Sequence, residues 1–143
     1  MPDPTDDRSF AAHHVRIGWL VVLVFTVLGL ILEALHGFKV AGYVDVDVAN
    51  RRLLLTLGHA HGTLLGLLHL GLGATGQHLA AGPVRSWASR LLTAATVVLP
   101  GGFLLGGLFL AGTDPGLGVF LVPVGGLLMV GAVGAATAAA FTR

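Results

Sequence analysis

IGWLVVLVFTVLGLILEAL, residues 17–35, carries a single charge, Glu33, and that charge sits in the last turn. As a helix, a run of this length rises about 28 Å, close to the roughly 30 Å core of a bilayer. Three further runs repeat the pattern, from about Leu53 to Leu79, Trp87 to Leu110 and Leu117 to Phe141. The third holds Pro100-Gly101-Gly102 at its centre; the fourth is opened by Asp114-Pro115 and carries Pro123 in its second turn. Backbone N–H and C=O groups find no water partner in lipid, so such runs are read as helices. The expected fold is an all-α integral membrane four-helix bundle, formed by residues 17–143 after a polar N-terminal tail, residues 1–16.

Composition agrees. Apolar residues make up 55% of the chain and charged ones 10%, against about 25% charged in soluble domains. Mean hydropathy is +0.87. The net charge of +1, with no basic stripe, excludes a nucleic-acid partner from the expectations. With no cysteine, disulfides, thiolate metal sites and c-type haem attachment are ruled out. The tail lacks the basic start of a secretory signal, and no small-x-small site closes the run after it, so it is expected to be retained, with a disordered beginning.

Orientation follows the basic residues. With four crossings, Arg8, Arg16, Arg85, Arg90 and Arg143 fall on the side of the termini, and Lys39, Arg51 and Arg52 on the other. This places both termini in the cytoplasm of a multi-pass protein of the cell's inner (cytoplasmic) membrane. Trp19, Tyr43 and Trp87 fit interfacial anchors, Asp47 or Asn50 fits a helix cap, and AGTDPG (residues 111–116) fits a tight turn.

Twenty-two glycines require a physical reason. Apolar burial drives little helix association in lipid, and close backbone approach does more. Gly58, Gly62 and Gly66 in the second run, Gly102 and Gly106 in the third, and Gly126 with Val130 and Gly134 in the fourth define close-packing faces. Such faces serve packing within the bundle first, and a homo-oligomer or a larger membrane complex second. Pro100 is expected to kink the third helix.

Ionisable groups at membrane depth are costly and are functional candidates. Glu33 and His36 share a face of the first helix, and His59 and His61 lie near the same end of the second, which runs antiparallel. At about 100° per residue, His59 and His61 point about 200° apart, one toward the first helix and the other toward the third or fourth. His69 lies about 15 Å deeper and needs a partner or ligand. His13, His14 and His78 are read as interfacial or solvated.

The segment Gly58-His59-Ala60-His61-Gly62-Thr63-Leu64-Leu65-Gly66 resembles the histidine-bearing helix of haem-copper oxidase subunit I-type proteins. It is also similar to uncharacterised bacterial four-helix membrane proteins with an HxH near the start of the second helix. The oxidase resemblance, over about twelve residues, implies His59 or His61 as a haem ligand. The third and fourth runs contain no histidine for a copper site, so oxygen reduction of that kind is not expected.

Three functions fit these residues. Glu33, His36 and His59 or His61 could ligate a divalent metal, or His59, His61 or His69 a haem b, in a redox, sensing or accessory subunit. Alternatively, Glu33 and the histidines titrate in a small proton-coupled transporter. In the third reading the chain is a ligand-free structural subunit whose histidines bond backbone carbonyls or threonines and whose Glu33 pairs with His36 or Arg52. No catalytic pattern is present.

Overall fold

A computed structural model describes residues 4–45 and 49–142 of the chain. Its elements are α1 (Pro4–Gly37), α2 (Ala41–Val44), α3 (Ala49–Thr75), α4 (Pro83–Leu108) and α5 (Leu121–Phe141). Single 3₁₀ turns, Gly76–His78 and Leu117–Phe120, follow α3 and precede α5. The chain is an all-α bundle of four long helices, each long and apolar enough to cross a membrane. The polar N-terminal residues expected as a tail are helical from Pro4 and continue α1 without a break. Asp47 lies outside the described residues.

The long helices stack chiefly on their chain neighbours, α1 on α3, α3 on α4 and α4 on α5. Only 17% and 11% of the most apolar stretches of α1 and α5 are buried, against 39% and 50% for α3 and α4. Trp19, Leu20, Leu23, Val24, Val27, Leu30 and Ile31 therefore stand outward on α1. An apolar stripe in that position suits lipid rather than water.

Glycine sets the spacing. A methyl at Gly62 would overlap the Phe25 ring of α1, and one at Gly66 would meet Val22 at 2.9 Å; Gly58 faces Leu104 and Phe103 of α4. The repeated glycine face of α3 is thus used inside the bundle. In α5 the packing glycine is Gly125, whose Cβ would stand 2.5 Å from the Leu99 Cα, while Gly126 and Gly134 face open space. One residue is about 100° of helix, so the expected face in this helix was misplaced by that angle.

α4 runs unbroken through the buried Pro100. α1 closes with the Val40 amide on the Leu35 carbonyl and Lys39 at φ 53°, a Schellman end built without the usual glycine. Asn50 does not cap α3; its amide donates to the Thr113 carbonyl at 2.7 Å, tying α3 to the α4–α5 turn. That turn is tight, as expected, with Ala111 and Asp114 exchanging backbone bonds. Tyr43 is buried beside Leu32 and Leu55, whereas Trp19 and Trp87 are exposed in keeping with interfacial anchoring.

Candidate functional site: a buried histidine pair and an open cavity

Three helical stripes meet at the end of the bundle that holds the termini. Asp7, Phe10 and His14 share one face of α1, spaced by three and four. His69, Gly73 and Gly76 share a face at the end of α3, and Arg85, Ser89 and Thr96 a face of α4. Gly73 and Gly76 permit the approach, because a Cβ at either would stand 3.3 Å from the His14 Cβ and 2.8 Å from the Phe10 ring, respectively.

His14 and His69 are both fully buried, and their Nδ1 atoms are 2.7 Å apart. His14 Nε2 lies 3.0 Å from the Ser89 hydroxyl, and His69 Nε2 lies 3.1 Å from the Thr96 hydroxyl. Donor accounting assigns the protons. Thr96 gives its hydroxyl proton to the Leu92 carbonyl at 2.8 Å, so it accepts from His69 Nε2–H. When neutral, His69 then offers a lone pair at Nδ1, which accepts from His14 Nδ1–H. His14, likewise neutral, accepts at Nε2 from the Ser89 hydroxyl. Every bond runs the same way, from Ser89 through His14, His69 and Thr96 to Leu92, and the chain extends about 10 Å along α4.

The pair has a fixed capacity. One added proton leaves one lone pair between the Nδ1 atoms and the bond survives; a second would set two N–H groups against each other at 2.7 Å. Arg85 closes this end of the site. It is 4% exposed, ion-paired with Asp7, bonded to the Gly76 carbonyl at 3.3 Å, and placed 4.7 Å from the Phe10 ring centroid.

His14 therefore departs from the solvated reading, while His13 and His78 are exposed as expected. His69 lies six residues from the end of α3. Its need for a partner is met by a residue of the supposed tail. The spacing of Asp7, Phe10 and His14 was the available signal that the tail is a helix with a buried face.

At the opposite end, α1, α2 and α3 enclose an open cavity of about 840 Å³. Glu33, His36 and His59 all line it, together with Tyr43, Arg52 and Thr56. Their shared depth was legible in the sequence. His61 is elsewhere: its ring stacks on Phe103 of α4 at 4.9 Å, so the two histidines of the HxH do face different helices. Both donate Nδ1–H to backbone carbonyls, His59 to Phe25 at 2.7 Å and His61 to Leu57 at 2.8 Å. The His59 ring packs against Gly29, where a Cβ would stand 2.5 Å from its Cε1. Among the described residues, no group of three His, Asp or Glu side chains converges to hold a metal ion. Comparison with protein-family models, curated proteins and solved structures finds no match for the chain.

Proposed function

We propose that this multi-pass membrane protein is a small proton-coupled carrier, with the His14–His69 pair as its proton-binding element. The observation that supports this reading is the unidirectional hydrogen-bond chain. Two imidazoles joined at Nδ1, fully enclosed, hold one extra proton and no more. Imidazole can take up and release a proton at a ring nitrogen, and ionisable groups within a span mark ion or substrate pathways.

The surroundings fit a coupled device. By the basic-residue count the pair faces the cytoplasmic end and the cavity the other. Thr63, at the cavity's deep end, and His69 are six residues apart on α3, about 9 Å. That interval is filled by the buried Leu65 and by Val22 against Gly66. An apolar septum between a titrating pair and an open cavity keeps the two compartments from being joined by a continuous polar path.

Proteoliposomes with an enclosed pH dye and valinomycin for charge balance test the reading. Wild-type protein is expected to accelerate proton entry over empty vesicles. His14→Gln and His69→Gln, which keep a hydrogen-bonding side chain but do not titrate, are expected to return the rate to background. A wild-type rate equal to that of empty vesicles, or full rates in both variants, would overturn it.

A further inference from the structure

We infer that the α1–α3 cavity binds a zwitterionic ligand with an apolar body: a primary ammonium joined by a short linker to a carboxylate or phosphate. The two walls carry opposite charges. Glu33 projects from the last turns of α1 and Arg52 from the first turn of α3, and both line the same cavity. They do not pair with each other; among the described residues the ion pair is that of Arg85 with Asp7. Glu33 has no hydrogen-bond partner among those residues, and Arg52 makes only a long bond of 3.4 Å to the Val44 carbonyl. A guanidinium with its fork of donors largely unused is suited to a carboxylate or phosphate, and an unpaired carboxylate to an ammonium.

The rest of the lining fixes the class further. A metal ion is disfavoured, because among the described residues no third ligand joins Glu33 and an imidazole. A simple cation would leave Arg52 unanswered, and a simple anion would be repelled by Glu33. A ligand bearing both charges satisfies both walls at once. Thr56, Asn50 and Thr63 offer neutral polar contacts, while Leu30, Leu32 and Leu53 supply an apolar wall. At about 840 Å³ the space falls within the range of small-molecule sites, about 300–1,000 Å³, and exceeds what a charged headgroup alone would fill. Two sources present this chemistry: a free apolar amino acid, and the ethanolamine headgroup of a phospholipid entering from the bilayer.

Binding to the purified full-length protein in nanodiscs of phosphatidylcholine and phosphatidylglycerol, by calorimetry and without any gradient, tests this apart from proton movement. Leucine and a short-chain phosphatidylethanolamine are the two probes; leucinamide and 4-methylvalerate, each with one charge, are the controls. Saturable binding of one probe is expected, with at least tenfold weaker binding of both controls. Glu33→Gln and Arg52→Gln are each expected to weaken binding at least tenfold. The double variant Glu33→Arg/Arg52→Glu, which exchanges the walls, is expected to recover binding, and so separates a lost site from a lost fold. Which probe binds identifies the source. Absence of saturable binding by both probes, equal binding of the controls, or unchanged affinity in both single variants would overturn the inference. Failure of proton flux with binding intact would leave this site standing and remove only the relay.

Discussion

Replacing His69 by leucine removes two hydrogen bonds and leaves one orphan. The His14 Nδ1–H, which donates to His69 at 2.7 Å, is left facing hydrocarbon, while Thr96 keeps its own bond to Leu92. An unsatisfied buried donor costs about 1–3 kcal/mol, and interhelical bonds in lipid contribute about 0.6–2 kcal/mol. His69→Leu should therefore destabilise the protein by about 2 kcal/mol within that range. His14→Leu orphans the His69 Nδ1 lone pair, also takes the acceptor of the half-buried Ser89 hydroxyl, and should cost a similar amount. The double variant removes donor and acceptor together, since each single variant's orphan is its partner. Its cost should fall short of the sum by about 1–2 kcal/mol. Reversible unfolding of the full chain in mixed micelles, run as a double-mutant cycle, measures this shortfall. Additivity to within about 0.5 kcal/mol, the figure for independent sites, would refute a direct bond between the two rings.

Three other substitutions probe the packing and the closed end. Gly62→Ala would drive a methyl into the Phe25 ring and should cost about 1–3 kcal/mol as overpacking; Gly71→Ala, which meets open space, should gain up to about 1 kcal/mol, and equal effects in the same unfolding assay would contradict the packing described. Asp7→Asn should cost about 1–3 kcal/mol, below the full penalty for breaking a buried pair, because the Asp7 side chain keeps 27% exposure and Arg85 retains the Gly76 carbonyl and the Phe10 ring; a change under about 0.5 kcal/mol would show the pair to be effectively solvated.

The four long helices were readable from the sequence because lipid permits so few alternatives for long apolar runs. Helix faces were readable where the period alone decides them, as for His59 and His61 on opposite walls and Glu33 with His36 on one. Reading failed where a residue's surroundings come from another segment. His14 reads as polar and terminal, and its burial depends on α1 extending back to Pro4 and on α4 presenting Ser89 one turn above Arg85. Arg85 reads as a loop cation for the same reason, although Pro83 at the first turn marks the start of α4. In α5 small residues occur on every side, so composition could not choose Gly125 over Gly126; only the position of Leu99 does. Convergence of Glu33, His36 and His59 on one cavity was legible from helix ends, but the part of Arg52 required knowing that α2 leaves the α1–α3 space open.

The most direct measurement is ¹⁵N NMR of the full-length protein with isotope-labelled histidine, assigned through His14→Gln and His69→Gln. The account predicts His14 in the Nδ1–H tautomer, His69 in the Nε2–H tautomer, and a nitrogen–nitrogen coupling across the bond between their Nδ1 atoms. Both rings in the Nε2–H form with no such coupling would contradict it.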